Sequence, residues 1–106
     1  MPAAFVSDPA RRVEIARTIL SQLPEWFGIP AATEGYITDA AHEPCFVCEK
    51  DGAPVGFLCL KETGRSTVEL AVMGVLKPCH RKGYGRALVD AAVAYARQTG
   101  YEFMQV

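Results

Sequence analysis

One stretch, Thr67 to Val106, limits the possible folds of this chain more than any other. It opens with Thr67 to Leu76, a run that is apolar on both faces of an extended chain. Such a strand belongs in the middle of a sheet, covered on each side. Pro78 then turns the chain, and His80-Arg81-Lys82 leads into Gly83-Tyr84-Gly85. From Gly83 to Thr99 the apolar period changes to that of a helix, with Leu88, Ala91, Ala92 and Tyr95 on one stripe and Gly100 as a natural C-cap. Tyr101 to Val106 reads as strand again. A strand, a crossover helix and a second strand in one sheet imply a right-handed, parallel unit.

The residues before it supply the rest of the sheet and its cover. Asp8-Pro9 pairs an N-cap side chain with a proline at the first helical position, and Val13, Ala16, Ile19, Leu20 and Leu23 follow at helical spacing. A helix is expected over Pro9 to Leu23, and a weaker one from Pro30 to Ala40. Cys45 to Glu49 and Val55 to Lys61 read as strands joined at Asp51-Gly52, a tight-hairpin signal, with Gly56 a candidate bulge. Glu62 to Ser66 reads as a polar turn. The expected architecture is therefore an α/β (α+β) mixed sheet: N-terminal helices, an antiparallel meander, then the strand–helix–strand crossover. Residues 1–106 are read as a single domain.

Charge narrows the partners. Eleven Lys and Arg against twelve Asp and Glu leave a net charge of −1, so no global field draws nucleic acid or anionic lipid. No apolar run reaches membrane-spanning length, and Met1 to Val6 lacks the pattern of a secretory signal. The expectation is a cytoplasmic protein whose four cysteines are reduced.

Any basic site must then be local, and the turn at Lys77–Arg86 is the candidate. The first amides of a helix lack intrahelical partners and carry partial positive charge. Glycines let a ligand approach the backbone closely. Arg81, Lys82 and Arg86 add mobile cations. Together they suit a phosphate or pyrophosphate. Two familiar phosphate loops fail on spacing. A Walker loop needs Gly-Lys-Ser or Gly-Lys-Thr, but Gly85 precedes Arg86-Ala87; a dinucleotide fingerprint counted from Gly83 would put Leu88 where Gly or Ala is required.

The segment VLKPCHRKGYGRALV resembles the coenzyme A loop of the GCN5-related N-acetyltransferase family. That motif is Gln or Arg, two residues, Gly, one residue, then Gly or Ala, between a long strand and a helix. Here His80 holds the first position, Gly83 and Gly85 the two others. The sequence departs from the family in having His80 there and in placing its proline at Pro78, with Lys77 where that proline commonly stands. The resemblance extends over the order of elements from about Asp8 to Val106. It implies acetyl-coenzyme A as co-substrate, with no metal, and direct attack by an amine acceptor, small molecule or peptide. It implies a pyrophosphate held by the amides of Arg81, Lys82, Gly83, Tyr84, Gly85 and Arg86, preceded by His80. It also implies a pantetheine arm along Met73, Gly74 and Val75, where a strand amide polarises the thioester carbonyl. In the histone-acetyltransferase branch a glutamate placed like Glu69 is the general base, and Glu69 is the catalytic candidate here.

Other residues invite functional readings. Glu34 and Glu43 are weaker base candidates on the presumed acceptor side, and Trp26 and Tyr36 either shape an acceptor pocket or fill the core. Cys45-Phe46-Val47-Cys48, with His42, Cys79 and His80, raises a zinc-stabilised interaction module. Thiols three apart on a strand diverge, which argues for structural cysteines instead. A non-catalytic coenzyme A binder shares every feature of the loop. The family continues past this point with a helix, often bearing the tyrosine that protonates the leaving thiolate, and closing strands; nothing here matches them. The expectation is a truncated, weakly active domain, or a homodimer in which a second copy covers the last strand.

Overall fold

The structure, a computed structural model, describes residues 3–25 and 27–105. Its elements are β1 (Ala4–Val6), α1 (Pro9–Leu20), α2 (Pro30–Asp39), a 3-10 turn (Ala40–His42), β2 (Cys45–Lys50), β3 (Ala53–Gly64), β4 (Thr67–Val75), a second 3-10 turn (Lys77–Cys79), α3 (Tyr84–Gln98) and β5 (Phe103–Gln105). The strands form one sheet in the order β1-β2-β3-β4-β5, antiparallel except for the parallel β4–β5 pair. The mixed α/β sheet and the crossover expected from the sequence are both present.

Three layers follow from which side chains each strand sends to each face. On one side Ile15, Ala16, Ile19, Leu20, Leu23 and Ile37 of the α1–α2 layer pack on Phe57, Cys59 and Val72. On the other, Leu88, Ala92 and Ala96 of α3 pack on Phe46, Leu58, Leu60 and Val68. Strand β3 sits centrally, so its successive residues Phe57 to Leu60 are all fully buried on alternating faces.

Several boundaries differ from the sequence reading. Helix α1 stops at Leu20 rather than Leu23, because Gln22 and Leu23 already donate to Ile19 and Leu20 in tighter turns. Strand β3 runs on to Gly64, so the polar segment read as a turn is mostly strand, zipped to β4 as far as Gly64↔Thr67. Strand β1 was not expected; three residues carry no readable period, and their pairing with Cys45–Val47 forms it. The β2–β3 turn has positive φ at both Asp51 and Gly52, as a two-residue hairpin requires.

The cysteines depart from the fully reduced expectation. Leu60 N–H bonds the Pro44 carbonyl, so the next pair, Cys45 and Cys59, is a non-hydrogen-bonded pair, with Cα atoms 4.4 Å apart. The two are joined as a disulfide. Cys48 and Cys79 are free and buried. Cys45 and Cys48 belong to opposite cores, so this C-x-x-C does not converge.

Candidate active site

Strands β4 and β5 pair only over Thr67–Glu69 and Phe103–Gln105. Beyond that, β4 continues to Val75 with no strand on that side. The free groups along this edge follow from register. Leu76 N–H bonds the Val55 carbonyl, so hydrogen-bonded pairs with β3 fall at Leu76, Gly74 and Val72. Met73 and Val75 therefore turn their amides and carbonyls outward, to the open edge. A bulge at Ala71, skipped between Cys59↔Val72 and Leu60↔Leu70, sets this phase. Before it Val68 and Leu70 pack toward α3; after it Val72 packs toward α1.

A groove opens here. Two adjoining cavities of about 400 and 250 Å³ share Met73, Gly74, Val75 and His80. The larger is also walled by Cys79, Arg81 and Gly85; the smaller by Leu23 and Phe27. Gly74 serves packing more than ligand approach. A Cβ there would meet side-chain atoms of Leu23, Ile19 and Phe57 at 3.1, 3.2 and 3.4 Å, so the small residue admits the α1 layer.

The loop residues gather at one end of this groove. Gly83 caps α3 with φ 89°, a left-handed conformation that a side chain would strain. Among the described residues no side chain caps the helix and no acidic residue lies in its first turn, so its N-terminal amides have no side-chain partner there. A Cβ on Gly85 would touch nothing. Arg81 itself holds φ 62°, unusual for a non-glycine residue. Arg81, Lys82 and Arg86 are exposed, and Arg86 has only a loose 3.9 Å pairing with Asp90. Tyr84 contributes backbone alone to this surface, since its ring is buried against α3's core. The His80 ring Nε2 lies 2.6 Å from the Val75 carbonyl, tying the loop to the strand edge. Lys77 pairs with Glu25, linking the loop to the segment after α1; this hydrogen bond holds the Glu25 carboxyl below its usual range.

The candidate bases separate. Glu69 is half-buried at the last β4–β5 pair, opposite Lys61 and four residues before Met73. Its neighbours Val68 and Leu70 face α3, which puts it on the α1–α2 face. Glu34 is committed elsewhere: Arg17 grips it with two hydrogen bonds of 2.8 and 3.0 Å, which hold its carboxyl below the usual range. Glu43 is buried away from the groove, among Asp39, His42, Pro44 and Lys61. Tyr36 is 39% exposed rather than core, edge-on to Phe27 in a cavity with Ile29 and Thr33. Trp26 lies outside the described residues.

Comparison with known proteins agrees with this architecture. A profile of the acetyltransferase (GNAT) family matches residues 12–106. No curated protein matches. Among solved structures, aminoglycoside N-acetyltransferase AAC(6')-Iy in complex with coenzyme A is 21% identical, with a TM-score of 0.67 over 96% of this chain and 75% of that one. Ribosomal-protein-alanine N-acetyltransferase from Brucella melitensis biovar Abortus 2308 is 15% identical, with a TM-score of 0.74 over 97% and 76%. Tetrahymena GCN5 is also 15% identical, with a TM-score of 0.74 over 98% and 68%. At such identities the structures speak to the fold, and the profile to the family. With the crossover, the splayed strand and the uncapped helix in place, the chain belongs to the GNAT family of acetyltransferases.

Proposed function

We propose that this chain transfers an acetyl group from acetyl-coenzyme A to a primary amine. The observation that carries the reading is the edge of β4 at Met73 and Val75, which has no strand beside it and opens next to the N-terminus of α3. The edge suits an extended amide-bearing arm, which would lie against it as an added strand. The helix amides with Arg81, Lys82 and Arg86 suit a pyrophosphate. Gly85 leaves the space that such a group needs.

Acetyl-coenzyme A supplies an activated thioester. The Met73 amide, fixed by the bulge and directed outward, is the donor for the thioester oxygen. Glu69 takes a proton from the acceptor ammonium, directly or through water; the freed amine attacks the thioester carbonyl, the C–S bond breaks and coenzyme A leaves as its thiolate. The acceptor enters on the α1–α2 side, where Phe27, Ile29 and Tyr36 offer an apolar rim. The exposed Phe103 on the outer edge of β5 is where a second copy would pair; light scattering showing a monomer at micromolar concentration would dismiss that dimer.

The test uses Gly85→Ala with calorimetry and a panel of amines: polyamines, aminoglycosides, amino acids and peptides. Alanine should raise helix stability by about 0.5–1 kcal/mol. It should also weaken acetyl-coenzyme A binding about tenfold, because its methyl intrudes on the ligand. Unchanged affinity would refute the cradle. Binding without transfer to any amine would identify a coenzyme A-binding domain instead.

A further inference from the structure

The chain doubles back where β4 ends. Lys77–Cys79 closes a 3-10 turn in which the Cys79 and His80 N–H groups donate to the Leu76 and Lys77 carbonyls. Cys79 is buried in the α3 core and anchors the turn. His80 follows and is exposed. Its ring returns across the strand end, with Nε2 2.6 Å from the carbonyl of Val75, five residues earlier. A carbonyl only accepts, so Nε2 carries the hydrogen and donates.

Register gives that contact its meaning. The Val75 carbonyl is one of the outward groups of β4, on the side where no described strand pairs with it. An extended arm laid along Met73 and Val75 needs those outward groups as its partners. The ring already holds one of them. His80 also lines both cavities of the groove, so it stands where they adjoin. The approach to the α3 N-terminus is different: a Cβ on Gly83 or Gly85 would meet nothing within 4 Å. An anion therefore reaches the loop with the ring in place, whereas an arm continuing along β4 meets the ring.

We propose that His80 plugs the strand edge of the groove: its ring holds the Val75 carbonyl in the free protein and yields it to an N–H donor on the extended arm of the coenzyme. This rests on the coenzyme A reading of the groove and adds a selection rule to it. A carbonyl covered by a ligand and left without a donor is costly, so displacement needs an arm that replaces the bond. The amide-bearing arm of coenzyme A does so, and a nucleotide lacking the arm leaves the ring where it is. The main-chain bonds of the 3-10 turn and the Lys77–Glu25 pair hold the loop independently of this contact, so release requires only rotation of the side chain. His80 is thus a specificity residue, with no part in the bond-making steps.

The experiment is NMR of the full chain with labelled histidine. The chain has two histidines, and His80→Ala assigns the signals. Nuclear Overhauser contacts from the His80 ring to the Val75–Leu76 backbone should be present in the free protein. They should survive saturation with adenosine 3'-phosphate 5'-diphosphate, the nucleotide part alone, and vanish with coenzyme A. In calorimetry His80→Ala should bind coenzyme A about three- to tenfold more tightly, the net worth of one hydrogen bond. Its affinity for the nucleotide should stay as in wild type, which a general disturbance of the loop would not allow. The plug is overturned if the ring contacts are absent in the free protein, persist in the coenzyme A complex, or vanish with the nucleotide alone. It is equally overturned if His80→Ala binds coenzyme A no more tightly, or gains as much for the nucleotide. Failure of the underlying reading looks different: neither wild type nor His80→Ala then shows saturable coenzyme A binding, and the plug falls with the groove. Coenzyme A bound with the ring still on Val75 overturns the plug alone.

Discussion

The two ends of the sheet hold two kinds of polar site. At the α3 end, charge is presented by backbone: the outward amides of Met73 and Val75, and the first turn of α3, with mobile cations exposed around them. At the other end, charge is a buried side chain, Glu43, held where four separate segments meet. Backbone dipoles cannot lose a proton, so the first site keeps its polarity at any working pH. A buried carboxyl trades its charge against desolvation, so the second site is sensitive to pH. The first suits an arriving anion; the second places a carboxyl where desolvation raises the cost of its charge.

The largest effect should come from striking the backbone site at its hinge. Gly83→Val forces a branched side chain into φ 89°, at about 1–3 kcal/mol of strain. Acetyl-coenzyme A binding should vanish in calorimetry while circular dichroism still reports a folded chain. Retained affinity would mean that the helix N-terminus is not the anchor.

Next is Glu69→Gln, which leaves both sites assembled and removes the base. Turnover should fall about 10²-fold at pH 7 and less at pH 9, where more amine is already free. The affinity for acetyl-coenzyme A should stay as it is. Wild-type turnover across that range would return Glu69 to an ordinary strand position opposite Lys61.

Glu43→Gln probes the buried charge through stability. The folded carboxyl titrates at about 7 against an ordinary value of 4.5, so the folded state holds its proton more tightly. Wild-type stability should therefore fall as pH rises from about 4.5 to 7 and stay lower above that. The variant should match wild type at pH 4.5 and exceed it at pH 8 by on the order of 2 kcal/mol. Thermal melts at both pH values check this; equal melting points at pH 8 would contradict the buried-charge reading.

The smallest effect is expected at an exposed pair. Arg17 and Glu34 form a two-pronged contact, but each side chain is about half exposed. Glu34→Gln should barely move the melting temperature and leave turnover unchanged. A large loss of turnover would restore Glu34 as a base.

The loop end was largely readable in advance because its signals are local. The glycines, the basic triplet, the strand before and the helix stripe after all sit within Thr67–Thr99. Even there, no local signal shows that Gly74 packs against Ile19 and Leu23, which come from far along the chain. Tyr84 stands inside the motif, yet its side chain belongs to the core. Glu43 was legible as an acidic loop residue and a weaker base candidate, but not as a buried one. No local signal shows that β3 outruns β2, or that Tyr101 and Val68 close over it.

The sequence by itself determined the two N-terminal helices, the central strands, the parallel crossover and the positive-φ turn at Gly83. Those depend on neighbours along the chain: side-chain period, caps, and residues that permit positive φ. Tertiary structure alone decided that Cys45 faces Cys59, that the bulge at Ala71 sends the Met73 amide to the open edge, and that Glu43 is buried. Each depends on register between strands. A shift of one residue in pairing exchanges the two faces, and burial, not identity, sets what a carboxyl does.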